Sequence, residues 1–468
     1  MKRPNRSFML SGALLCAGGC AVGPNYHRPA FETTPTFKEQ GDWKPSEPVD
    51  VLSRGAWWHI FNDPVLDGLE QQIDVSNQNL KAAADAYRQA QTLVAQARAG
   101  FWPTIMASGS RQRELPAPGR NPPVVINSLS ASGTWQLDIW GQTRRTVEGD
   151  VASAQASAAA VAAARLAAQA SLATTYFELR AQDSLQKLLD DTVADEQRSL
   201  EITQNRYSFG VAAKADVVTA QTQLLSSQAQ QVNAAIARAQ FEHAIAVLIG
   251  QQPAAFSLPV EALRTEVPTT PAGLPSELLE RRPDVAEAER KMAAANAQIG
   301  VAVAAYFPTL TLSGSAGYEN SGLLKNLVNS KNLIWAVGPT LAENLFDGGL
   351  RRAQTAQARA AYDASVDSYR QTVLTSLQQV EDDLVTLRVL ERQAAIEDET
   401  VMAAREAERL TLNQYKAGTV PYTSVITAQT TTLASEQTAL TVLLDRLSAS
   451  VALIQAVGGG WTAAALPR

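Results

Sequence analysis

Two cysteines and three histidines are the side chains of this 468-residue chain most apt for covalent or metal chemistry, and their settings differ. Cys20 stands behind Ala17, Gly18 and Gly19, which follow an apolar run from Phe8 to Leu15 and the cations Lys2, Arg3 and Arg6. A basic start, a short apolar stretch and a small-residue cleavage site mark a secretory signal. A lipoprotein signal peptidase has a narrow site that admits only small side chains before the cysteine whose thiol carries the lipid. Cys16 is the poorer acceptor because Leu15 would occupy its cleavage position; at Cys20 the departure is Ala17, where leucine is commoner. The apolar run is too short to span a bilayer. Residues 1–19 therefore read as a lipoprotein signal peptide, Cys20 as the lipid attachment residue and residues 20–62 as a lipidated, extended segment. Cleavage leaves no free thiol, so stability must come from packing rather than from a disulfide. Ala21 after the cysteine, in place of aspartate, directs a bacterial lipoprotein to the outer membrane.

His27, His59 and His243 have no metal-ligand spacing, and neither a nucleophile elbow nor a phosphate loop is present. The expectation is no enzyme, no metal and no cofactor beyond the covalent lipid. A net charge of −6 argues against nucleic acid as the partner. One further pattern occurs twice: "RYSFG" sets Tyr207 three residues before Gly210, and "QYKAG" sets Tyr415 three residues before Gly418. Glycine in that place can take the left-handed conformation that ends a helix. Asp216, with Lys214 near it, follows the first turn; Thr423 and Thr427 follow the second.

The elements carrying these turns come in two copies. "FWPTIMASGS" aligns with "YFPTLTLSGS", "IWGQTRR" with "FDGGLRR" and "NRYSFGVAAKADVVTAQT" with "NQYKAGTVPYTSVITAQT", at shifts of 205, 207 and 208 residues. Three matches in one order at nearly one shift mean an internal duplication. The first copy spans 63–250 with a hairpin at about 102–140, and the second spans 275–458 with strands at about 306–346. Residues 251–274 form a Pro-rich equatorial linker and 459–468 a tail.

Within a copy, Asp63 before Pro64 is a helix start, and helical composition runs from there to about Ala99. No proline lies between Gly141 and Gly210, or between Gly348 and Gly418. Each interval predicts a helix of about 70 residues, on the order of 100 Å, followed by a return helix of about 40. Ile426, Leu433, Leu440, Leu447 and Ile454 recur every seven residues, aligned with Val218, Leu225, Val232, Ala239 and Ala246 in the first copy. That period is coiled-coil grammar. Hydrophobic residues make up 46% of the chain, much of it alanine, and aromatics only 6%, which suits closely packed long helices. No later run of some 18 apolar residues is seen, so no helical membrane span is expected.

Four strands of about ten residues remain. In each, apolar side chains alternate with Ser and Thr: Leu310, Leu312, Ala316 and Tyr318 share one face, Thr309, Thr311, Ser313 and Ser315 the other. That is the pattern of an outer-membrane barrel. In lipid every unsatisfied edge group costs several kcal/mol, and the smallest such barrels have about eight strands. One chain cannot close a barrel, so a cyclic oligomer is required.

"CAVGPNYHRP", "WWHIFNDPVL", "LLERRPDVAEAER", "AYFPTLTLSG" and "LFDGGLRRA" are spread in order over the whole chain. With them the chain resembles the outer-membrane efflux lipoproteins, the OprM-like branch of the TolC family. The resemblance implies a mainly α fold with membrane β: a homotrimer with a twelve-stranded barrel, four strands per chain, a long α-helical periplasmic barrel and an equatorial belt. It implies a passive exit duct for drugs or other toxic small molecules, in the outer membrane of a Gram-negative bacterium. An inner-membrane resistance-nodulation-division pump would feed the duct through a periplasmic adaptor protein, and Tyr207, Gly210, Asp216, Tyr415, Gly418, Thr423 and Thr427 would form its periplasmic tip or gate. Some relatives constrict that tip with a ring of Leu and Asp; Thr423 and Thr427 stand at those places here, which suggests a polar, weakly charged constriction. The alternatives are a periplasmic adaptor or scaffold lipoprotein and a type I protein-secretion duct. Five methionines, two of them near the start, argue against a duct devoted to soft metals.

Overall fold

The computed structural model describes residues 21–30, 34–40, 56–115, 123–268 and 281–467. Cys20 and the signal segment lie outside these residues. Two compact units divide the chain: the described parts of 1–31, 86–158 and 287–371 form the first, and those of 32–85, 159–286 and 372–468 the second.

Local chemistry sets the helix ends. The Asp63 Oδ1 accepts from the backbone N–H groups of Val65 (2.9 Å) and Leu66 (3.2 Å), with Pro64 at the first helical position, and α1 (Pro64–Ser76) begins there. The helix expected to run on to Ala99 is interrupted. Asn77 turns extended (ψ 121°), and its Oδ1 accepts from Leu80 N–H at 2.9 Å to cap a separate α2 (Gln78–Ala99). Asparagine favours caps over helix interiors because its side chain competes for backbone groups. Its amide also donates to Leu248 O at 2.7 Å, so the interruption is held from outside as well.

The duplication reappears as equal lengths. α3 (Gln142–Ser208) and α6 (Leu350–Lys416) each have 67 residues, and α4 (Lys214–Leu248) and α7 (Tyr422–Ala456) each have 35. Between the copies, α5 (Pro283–Ala304) precedes the second pair of strands. An 18-residue stretch in α3 and another in α7 are apolar enough to cross a membrane by length and composition alone, where no such run was expected. In α7 that character serves a core: Val442, Leu447, Val451, Leu453 and Ile454 are buried.

In the first unit β1 (Thr104–Glu114), β2 (Val124–Leu137), β3 (Thr309–Asn320) and β4 (Leu333–Ala342) make one antiparallel sheet in that order. The two copies therefore join through β2 and β3. Register aligns the apolar face: Leu129 opposes Tyr318, Trp135 opposes Leu312, Leu310 opposes Leu341 and Ala316 opposes Trp335, with Arg111 and Arg113 entering that face near the β1–β2 turn. On the other face Ser132 opposes Ser315 and Thr134 opposes Ser313, while Ser108 and Ser110 hydrogen-bond Ser130 and Ser128 at 3.0 and 2.8 Å. A slip of one residue would swap the faces.

In the second unit Trp57, Phe61, Leu66 and Ile73 pack with Leu172, Tyr176 and Leu179 of α3, Ile245 of α4 and Leu447, Val451 and Ile454 of α7. Residues 251–268 are irregular apart from the short turn Pro253–Ala255. Side chains satisfy their backbone: Arg180 donates to Pro259 O (2.6 Å), Arg238 to Leu258 O (2.9 Å), and Leu263 N–H to Ser184 Oγ (2.8 Å). Arg180 and Arg238 both pair with the buried Asp183. Of the seven-residue stripes, Leu433, Leu447 and Ile454 are buried, whereas Val218, Leu225 and Val232 are exposed.

Candidate functional site

The duct expected from the sequence would need a wall that suits lipid outside and water inside, and an end that can be closed. The sheet supplies the wall. At its base the aromatic residues gather: Trp140 stacks on Phe307 (centroids 4.7 Å) and donates to Pro308 O at 2.8 Å, Trp135 donates to Phe101 O at 2.9 Å, and Trp102 and Phe346 are exposed. Amphipathic rings of this kind favour a membrane–water boundary. The chain after Cys20 is fastened at the same level. Val22 N–H donates to Trp140 O (3.0 Å), and the buried Arg145 donates to Val22 O (3.1 Å), Gly23 O (3.3 Å) and Asn25 Oδ1 (2.9 Å).

The residues expected at the duct's end lie at the two glycine turns. Gly210 and Gly418 take φ of 72° and 80°, the left-handed conformation expected of them. Gly210 N–H donates to Tyr207 O and Val211 N–H to Arg206 O; Gly418 N–H donates to Tyr415 O and Thr419 N–H to Gln414 O. Both are Schellman caps, which satisfy the last carbonyls of α3 and α6. The two tyrosines then diverge. Tyr207 is 46% exposed, while Tyr415 is 3% exposed and packs against Tyr422 at 5.2 Å between centroids.

Between the turns lies a residue that the sequence reading passed over. Arg206 Nη1 donates to Lys416 O at 2.7 Å, and its guanidinium lies over the Tyr415 ring at 4.8 Å. It ties the first turn to the second. The signal was present in the duplication: the first copy reads Asn-Arg-Tyr where the second reads Asn-Gln-Tyr. Thr203, one turn earlier, lies with its Oγ1 3.5 Å from the Tyr415 hydroxyl, and burial pushes the Tyr422 hydroxyl up to about 12.

The remaining residues expected at the tip are near but not convergent. Asp216 is half-buried in the first turn of α4, and Lys214 begins that helix exposed. Thr423 and Thr427 lie exposed one turn apart on α7; Thr427 Oγ1 donates to Thr423 O at 3.0 Å, so its hydroxyl is occupied by its own helix. Of the histidines, His27 and His243 are exposed and His59 pairs with Asp67 at 2.9 Å.

Comparison with known proteins agrees with this geometry. The family model described as outer membrane efflux protein matches residues 69–251 and again 274–459. A toluene efflux pump outer membrane protein of Pseudomonas putida, TtgC, is 30% identical over 95% of this chain and 93% of its own length. The pyoverdine export outer membrane protein OpmQ of Pseudomonas aeruginosa is 32% identical over 97% of each. The solved outer-membrane channel OprN superposes with a TM-score of 0.87 at 28% identity, covering 94% of this chain and 100% of that one. The chain belongs to the outer membrane efflux protein family of TolC-like channels, whose members are ducts of the outer membrane and not enzymes.

Proposed function

We propose that three copies of the chain close one twelve-stranded barrel and one helical tunnel, anchored by a lipid on Cys20. The duct passes toxic small organic compounds outward, receiving them from an inner-membrane pump of the resistance-nodulation-division type through a periplasmic adaptor docked at the turns of Gly210 and Gly418. The observation that carries this reading is a four-stranded, two-faced sheet whose outer strands β1 and β4 have no neighbour among the described residues. In lipid such edges are tolerated only by closure. The lipid anchor is supported by the fastening of Val22 beside Trp140, two residues from Cys20. One relative is named for toluene and another for pyoverdine, which supports a reading in which the pump rather than the duct selects the cargo. Purified full-length protein should have the mass of three chains and give discrete conductance steps in planar bilayers. A well-folded trimer without channels would instead be a scaffold. The constriction at Thr423 and Thr427 is tested by Thr423→Leu with Thr427→Asp, which should change conductance and raise cation preference; no change removes those positions from the gate.

A further inference from the structure

An apolar row repeating every seven residues is buried only against another helix. The second unit presents two such rows to solvent. On α4, Val218, Leu225 and Val232 are 52%, 56% and 73% exposed. Thr222, Ala229 and Ile236 lie between and beyond them, giving alternating intervals of four and three. On α6, Val389, Ile396 and Leu410 are 52%, 64% and 47% exposed, with the exposed Ala403 completing the series. Gln393, Thr400 and Ala407 alternate with them, so neither row carries a charge. Both rows lie about half a turn away from the side their helix buries in its own chain: Ala220, Leu224 and Ala234 on α4, Val380, Leu384 and Leu387 on α6.

Their heights agree. Val218, Leu225, Val232 and Ala239 stand 8, 15, 22 and 29 residues after Gly210; Leu410, Ala403, Ile396 and Val389 stand 8, 15, 22 and 29 residues before Gly418. The two turns are held together, with Arg206 bonded to Lys416 O at 2.7 Å. α4 leaves its turn while α6 arrives at the other, so the two helices run in opposite directions. Rotation about an axis along the helices leaves height unchanged, so the α4 row of one copy meets the α6 row of the next at the same level.

We propose that the two rows form one antiparallel coiled-coil seam between neighbouring copies: Val218 on Leu410, Leu225 on Ala403, Val232 on Ile396 and Ala239 on Val389. Two of these layers set a large side chain against alanine, which permits close approach of the backbones. The faces differ, so the contact is heterologous and must close into a ring. The seam rests on the oligomeric reading above.

The test uses the full-length mature protein, purified, with introduced cysteine pairs and a short thiol cross-linker. Val218→Cys with Leu410→Cys, and Val232→Cys with Ile396→Cys, should convert most of the chain to covalent oligomers. Val218→Cys with Ile396→Cys is two heptads out of register, about 21 Å, and should give less than a tenth as much. Should those variants fail to fold, Thr222→Cys with Ala407→Cys probes the same rows at small positions. An intact oligomer in which matched pairs stay unlinked, or shifted pairs link equally, overturns the seam and leaves the duct standing. A monomer overturns both.

Discussion

Arg206 concentrates much of what one side chain can do at the turns. Its planar cation serves a carbonyl of the second turn and the face of Tyr415 at once, a pairing that an ammonium cannot reproduce. Arg206→Ala should therefore loosen the two turns and raise single-channel conductance several-fold, with Arg206→Lys between it and the parent; equal conductance in all three would deny the turns a closing role. Glu70 works on stability instead. It is buried in α1, neither carboxylate oxygen has a hydrogen-bond partner among the described residues, and desolvation, with Asp74 and Asp67 nearby, pushes its carboxyl up to about 9 from 4.5. The folded chain thus holds a proton that the unfolded chain releases. Its contribution is full below the unfolded value and is lost as pH rises toward the folded one. Glu70→Gln should raise the unfolding midpoint at pH 8.5 by several degrees, where 1 kcal/mol moves a 150–250-residue domain by about 2–4 °C, and change it little at pH 5. A gain that is the same at both pH values would show that the carboxyl does not titrate there.

Helix ends and strand faces make their own demands. Gly210 and Gly458 both hold a left-handed φ, at 72° and 93°, but a side chain at Gly210 would meet nothing within 4 Å, whereas one at Gly458 would come within 2.1 Å of Arg281 O. Gly210→Ala should cost about 1–2 kcal/mol, the strain of the conformation alone. Gly458→Ala should cost clearly more by thermal unfolding, and equal losses would mean that the close approach carries no weight. In the sheet, Val337 lies on the apolar face opposite Gly314, and Ser313 on the polar face opposite Thr134. Lysine in place of Val337 should destabilise the protein in lipid by about 2–4 kcal/mol. Lysine in place of Ser313 should instead leave the fold and alter ion selectivity. Urea titration in bilayers separates the two.

At the scale of the whole molecule, the proposed lipid anchor and the proposed closure of the barrel are separable. Cys20 precedes a segment fastened by its backbone to Trp140 and Arg145, while closure depends on β1 and β4. Cys20→Ala should abolish acylation, read as loss of the lipid mass from the mature chain, yet leave the oligomer and its channel intact. An oligomer lost together with the lipid would show that the anchor is needed for assembly.

Local rules were enough for much of this protein. The cap at Asp63, the left-handed glycines, the two 67-residue helices and the alternation of the strands are written in neighbouring residues, because each depends on interactions within a few positions. The interruption at Asn77 was less legible, since α1 and α2 share one helical composition and the carbonyl of Leu248 that holds the asparagine is distant in sequence. Three-dimensional packing alone decided which copy of a repeated pattern does what. Tyr207 and Tyr415 occupy the same motif, yet one is exposed and the other buried beneath Arg206. Leu433 and Leu225 occupy the same heptad place, yet one fills a core and the other faces outward. A periodic pattern states that a side chain needs a partner, and only the folded neighbours determine which partner it finds.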